Sequence, residues 1–235
     1  MDIDWPGVVR RIERLRDAPP DRRAKVHGVR DHEFELKPPL TGAEVAEAEG
    51  QFGVRLPDEY RAFILQVSAG GAGPCYGLFP LIRGEDGRWG WKGDGGDLTE
   101  PHRLAEPFEP GDVSEVLKRL GPEPDEEDED GYWQWANRRG DILWESGRTA
   151  GAICLCHKGC AIRDWLIVSG PQRGFIRRDE RIYDIDLVPQ LTDDGQKASF
   201  GRWYLAWLEQ AERDVFPDLA TLVSGPDQVR PTEGP

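Results

Sequence analysis

The residues best suited to chemistry are Cys154, Cys156, His157 and Cys160, three thiols and an imidazole in one short stretch. Soft sulfur and nitrogen donors of this kind suit zinc. In an extended strand Cys154 and Cys156 point to one face and His157 to the other, so the four converge only where the strand bends sharply. The structural alternative makes Cys154 and Cys156 small buried apolar residues, with Cys160 packed beneath a turn opened by Gly159. A cysteine enzyme would instead need a thiolate beside a base, and His157 is the only histidine close in sequence to any cysteine. No Gly-x-Ser-x-Gly, phosphate-binding glycine loop or His-Glu-x-x-His pattern accompanies it. Asp193-Asp194-Gly195 offers carboxylates to calcium but lacks the remaining ligands of a helix-loop-helix site, and reads as a turn. The sequence therefore predicts no catalytic residue, no metal and no cofactor, with the zinc-dependent or cysteine enzyme kept as an alternative.

Charge points elsewhere. The chain of 235 residues carries a formal charge of -14, which argues against a protein that holds nucleic acid, since affinity there comes from cations that neutralise phosphates. The acidity is local: residues 100–131 hold 12 acids against three bases, whereas 158–181 hold six bases against three acids. Asp125, Glu126, Glu127, Asp128, Glu129 and Asp130 form an unbroken acidic run with Tyr132, Trp133 and Trp135 just beyond it and Trp89 and Trp91 upstream. Aromatic side chains fill pockets at interface centres and a carboxylate field speeds encounter with a basic surface, so these eleven residues are the candidate partner-binding set. The competing reading makes the acids a solvated loop and packs the tryptophans on the core, with Arg173, Arg177 or Arg178 as internal partners. Trp203 and Trp207 share a helical register with Phe200, Leu208 and Ala211 and are assigned to the core.

No stretch approaches the ~20 apolar residues that span a bilayer, and the N-terminus lacks the basic-then-apolar order of a secretory signal. With cysteines clustered rather than dispersed, free thiols in a reducing, cytoplasmic setting are expected.

Helices come first along the chain. Trp5, Val8, Val9, Ile12 and Leu15 lie on one helical face, and Thr41 with Glu44 makes a capping box ahead of Val45, Ala48 and Phe52. Pro57-Asp58-Glu59 opens a third helix that buries Tyr60, Phe63, Ile64 and Val67 and stops at Gly70-Gly71. Residues 76–82 read as a strand, 83–150 as an elaborated insertion with a helix at 113–120, and 152–156, 165–169 and 174–177 as an antiparallel meander. Turn signals at Lys158-Gly159 and Gly170-Pro171-Gln172 separate its strands, and an aromatic helix from Phe200 to Ala211 follows.

This order of segments resembles the SUKH superfamily. The likeness rests on Phe52-Gly53-Val54-Arg55-Leu56-Pro57-Asp58-Glu59-Tyr60, then Ile153 to Ala161, Asp164 to Gly170, Gly174-Phe175-Ile176 and the Ser199-Phe200 helix, roughly residues 40–210. The form it is most similar to is the Smi/Knr type, named after fungal cell-wall-assembly regulators and common in bacteria beside polymorphic toxins. Two features depart from the pattern: the extra sulfur at Cys154-Leu155-Cys156-His157, and Arg163-Asp164 after the turn. The resemblance implies a non-enzymatic immunity protein that binds a cognate toxin, with a regulatory scaffold for a signalling or cell-envelope protein as the alternative. The partner expected from charge is a basic, nuclease-type domain, and neither nucleic acid nor membrane is expected as a partner. The expected fold is α+β, a central mostly antiparallel twisted sheet packed by helices from the N-terminal half and a C-terminal helix. Residues 1–39 would form an N-terminal helix and linker, 40–216 the domain, and 217–235 a Gly- and Pro-rich tail.

Overall fold

The structure is a computed structural model that describes residues 3–118, 120–125, 127–183 and 185–217. Glu126 and the tail from residue 218 lie outside the described residues.

Each predicted helix forms from the signals that announce it. Helix α1 (Trp5–Arg16) starts at Asp4, whose carboxylate accepts the Gly7 amide at 3.0 Å, and buries Trp5, Val8, Ile12 and Leu15. Single-turn helices α2 (Pro20–Arg23) and α3 (Val29–His32) follow. Helix α4 (Gly42–Phe52) opens on the capping box: the Glu44 amide donates to Thr41 Oγ1 at 3.2 Å and the Thr41 amide to Glu44 Oε2 at 2.8 Å. Helix α5 (Asp58–Gln66) buries Tyr60, Phe63 and Ile64.

Two antiparallel sheets complete the α+β architecture. Strands β1 (Leu81–Arg83) and β2 (Trp89–Trp91) pair as a hairpin. After α6 (Val113–Lys118) and α7 (Glu129–Leu143) comes the main sheet, β3 (Ala152–Gly159), β4 (Ile162–Ile167), β5 (Ile176–Asp179) and β6 (Leu187–Pro189), paired in that order. Helix α8 (Phe200–Val215) closes the chain. The β3–β4 turn is Cys160-Ala161, both left-handed at φ 49° and 60°, two residues beyond the expected Lys158-Gly159. Of the expected 76–82 strand only Leu81 and Ile82 join β1; Tyr76 and Phe79 instead donate to the carbonyls of His157 and Leu155 along the edge of β3, at 3.0 and 2.8 Å. Gly71 exchanges hydrogen bonds with Leu78 there, and a Cβ on it would sit 2.3 Å from the Glu35 carbonyl oxygen.

Phe200 joins the layers. Its ring lies 5.1 Å from Tyr60, 5.3 Å from Phe63 and 6.5 Å from Trp5, so α8, α5 and α1 meet on one side chain. Tyr204, one turn on, donates its hydroxyl to the Ala72 carbonyl at 2.7 Å. Because α1 packs into this same core, a boundary at residue 39 would divide elements that share one interior.

His32 sits in that interior between Phe34 and Trp207, at ring separations of 5.1 and 5.8 Å. Its Nδ1 accepts the Phe34 amide at 3.0 Å, which fixes the neutral tautomer with the proton on Nε2. Burial pushes its pKa down from 6.5 to about 4, with Asp31 opposing in part. A depressed base binds its proton more readily in the unfolded chain, so its contribution is present above pH 6.5 and is lost as pH falls towards 4. Urea unfolding across that window should show a loss of up to about 3 kcal/mol from this group. The substitution His32→Asn should remove that component of the slope; an unchanged slope would contradict the assignment.

Candidate functional site

Helix α7 is built by the acidic run itself. The Asp128 carboxylate accepts the Gly131 amide at 3.0 Å, and Glu129 and Asp130 occupy the first turn, where the positive end of the helix dipole favours them. Over 15 residues the helix buries only Leu143. It packs on α6, and Trp135 Nε1 donates to the Gly121 carbonyl at 3.1 Å, fastening the connection between them. Arg139 lies over the Trp135 ring at 5.5 Å. Trp133 is 63% exposed and meets the exposed Tyr132 edge to face.

The C-terminal end of α7 is anchored by a buried charge. Arg181, in the chain after β5, donates to the Leu143 carbonyl at 2.8 Å and stacks on Trp144 at 4.4 Å. Its guanidinium is paired with Asp179 at 2.6 Å, both residues being almost fully buried, and Trp165 Nε1 donates to the same carboxylate at 3.3 Å.

The arginines of the basic stretch are engaged away from the acidic run. Arg173 donates to the carbonyls of Arg55 and Leu56, Arg177 to Leu187, and Arg178 to Asp164 and Gln190. Among the described residues, none of Asp125, Glu127, Asp128, Glu129 or Asp130 makes an ion pair, and all five are exposed. Of the eleven candidates, the structure thus gathers these five with Tyr132, Trp133 and the half-buried Trp135 on one helix and its approach.

Trp89 and Trp91 are corrected. Both are buried, because the β1–β2 hairpin turns them onto α4 and α5. Gln51 exchanges two hydrogen bonds with the Trp89 backbone, and Trp91 stacks on Phe52 at 5.1 Å while donating to the Tyr60 hydroxyl at 2.8 Å. They hold the core and offer no surface to a partner.

The sulfur tetrad does not assemble either. Cys160 stands exposed on the turn, not packed beneath it, and His157 Nδ1 lies 2.8 Å from Asp94 Oδ2. Cys154 and Cys156 are buried as the structural alternative holds, and burial raises both thiol pKa values, opposite to the activated thiolate a cysteine enzyme needs. A register shift in β3 separates the two, and Cys156 meets Cys75 and Asp164 instead. Asp193-Asp194-Gly195 is a tight turn closed by Thr192 and Gln196. Cys75, Asp164, Trp144 and Arg181 carry no local sequence signal, since each gains its role from a partner far along the chain.

Removing the counter-charge of Arg181 should be costly. Asp179→Ala leaves a buried cation unpaired and is expected to destabilise by about 3–5 kcal/mol in denaturant unfolding. A loss below about 1 kcal/mol would show that the pair does not anchor α7.

No helix among the described residues is long and apolar enough to cross a membrane. No curated protein and no solved structure matches the chain. A family match does exist: residues 39–159, from the approach to α4 through β3, fit the SMI1 / KNR4 family (SUKH-1), and β4 continues the same sheet beyond them. That match spans more than half of the sequence and agrees with the segment order read from the residues, so the chain belongs to the SMI1 / KNR4 family (SUKH-1).

Proposed function

We propose that this protein is a cytoplasmic immunity protein that neutralises a cognate toxin by stoichiometric binding, and that the α6–α7 excursion presents the binding surface. The observation that carries the reading is a helix that buries one side chain yet displays exposed, unpaired carboxylates beside a largely exposed tryptophan. Such a helix adds little buried apolar surface to its own domain. A protein partner with a basic face would cover Trp133 and Tyr132 and satisfy Asp125, Glu127, Asp128, Glu129 and Asp130. Membership of a family that is generally non-enzymatic supports binding over catalysis.

The roles divide physically. Exposed carboxylates act over about a Debye length, roughly 8–10 Å at physiological salt, and so govern the rate of encounter. Trp133, once desolvated, would govern how long the complex lasts. Trp135 fastens the helix at mid-length and Arg181 at its C-terminal end. Blocking a nuclease-type toxin in this way needs only that the helix cover a surface the toxin uses for phosphates.

The test is association kinetics with the partner captured by the tagged chain from its native host, a toxin polypeptide being the expected capture. Changing Asp125, Glu127, Asp128, Glu129 and Asp130 to Asn or Gln keeps the Asp128 cap as Asn. Association should slow on the order of 10-fold at low salt with a flatter salt dependence, at nearly unchanged thermal stability. Trp133→Ala should raise the dissociation rate by about 2 kcal/mol equivalent. Indifference of binding to both changes would reject the surface. A captured partner that is a signalling or envelope component, with no toxin bound, would favour the regulatory scaffold.

A further inference from the structure

We propose that Cys75, Cys156 and Asp164 form a binding site for a soft divalent cation of the zinc type, independent of the partner-binding surface. The three residues come from the loop before β1, from β3 and from β4, and their Sγ and carboxylate oxygen atoms all lie within 4.8 Å of one another. Cys75 Sγ is 3.7 Å from Asp164 Oδ2. Ligands about 2.3 Å (sulfur) and 2.0–2.2 Å (oxygen) from a tetrahedral zinc ion stand roughly 3.5–3.8 Å apart, so little movement would close the site.

The surroundings are those of a supported ligand set. Asp164 is buried and accepts Arg178 Nε and Trp203 Nε1, each at 3.1 Å, the outer contacts that orient a ligating carboxylate. Cys75 is held in the left-handed region at φ 62°, uncommon for a side chain that is not glycine. Its backbone lies so close to Gly28 that a Cβ there would fall 1.8 Å from the Cys75 carbonyl oxygen, and the Tyr76 amide is tied to His157 at 3.0 Å. The thiol is thereby fixed against Cys156. Charge also balances: two thiolates and the Asp164 carboxylate are matched by a divalent cation and the Arg178 guanidinium. A cleft of about 320 Å³ reaches Cys75 and Asp164 and is lined as well by His27, which gives an ion a route to the buried atoms.

Thiolate ligation selects the ion by softness, so zinc and its spectroscopic substitute cobalt(II) are the probes. Cobalt(II) titrated into the reduced, purified full chain should bind one equivalent and show thiolate-to-cobalt charge-transfer absorption with the intense visible bands of a tetrahedral ion. Zinc should displace it. Cys75→Ser and Cys156→Ser should each lose the wild-type charge-transfer intensity, whereas Cys154→Ser and Cys160→Ser keep it. Trp203→Phe, which retains every ligand, should weaken metal affinity about 10–100-fold. The wild-type spectrum decides without any variant: no thiolate charge transfer overturns the site. Full intensity in Cys75→Ser, or a Cys75–Cys156 disulfide in protein purified under reductant, overturns it as well.

Discussion

The arginines of β5 and its flanks are engaged by partners within the fold, and this sets the character of the exposed surface. Half-buried Arg177 and Arg178 and buried Arg181 donate to the Leu187 carbonyl, to Asp164 and to Asp179, while the exposed Arg173 donates to the carbonyls of Arg55 and Leu56. Buried guanidinium groups need such partners, because an unpaired charge away from water is expensive. Among the described residues, Asp125, Glu127, Asp128, Glu129 and Asp130 have no such claim on them and stand exposed. Had Arg177 or Arg178 reached the acidic run, that run would be internal neutralisation and α7 an ordinary packing helix.

Arg181 links the two regimes. One face of its guanidinium settles Asp179 inside the sheet, and the other reaches the Leu143 carbonyl and the Trp144 ring at the end of α7. A helix carrying so little apolar surface cannot hold its place by burial, so a directional, charge-assisted contact at its end does so. The free end keeps Asp128 as its cap and the aromatic pair Tyr132 and Trp133 in water. Rigidity at one end with exposure along the length suits a surface that must meet a partner without reorganising.

Much of this fold could be read from the residues. The α1, α4 and α8 helices carry caps and apolar spacing that depend only on neighbours in sequence, and each starts where those signals place it, while α5 starts after Pro57 as expected but ends at Gln66, short of the expected Gly70-Gly71 stop. The meander was legible because its strands are apolar and bounded by turns, although β6 escaped: three residues ending in Pro189 give no alternation. Helix α7 was not legible, since two glycines, an acidic start and scattered tryptophans obscure its period. For the same reason the tryptophans could not be sorted from spacing alone: Trp89 and Trp91 are buried by hairpin pairing with β1, Trp133 is exposed by a helix that turns it outward. The sulfur stretch misled through proximity in sequence, because Cys156 finds Cys75 and Asp164 across the fold and His157 finds Asp94.

The most direct measurement is amide hydrogen exchange of the chain alone and in complex with the protein partner it captures from its native host. Protection gained on binding should concentrate in residues 113–145, with the backbone of α8 and of β3 to β5 unchanged. Protection confined to another face, with α7 exchanging as it does in the free chain, would contradict the α6–α7 binding surface.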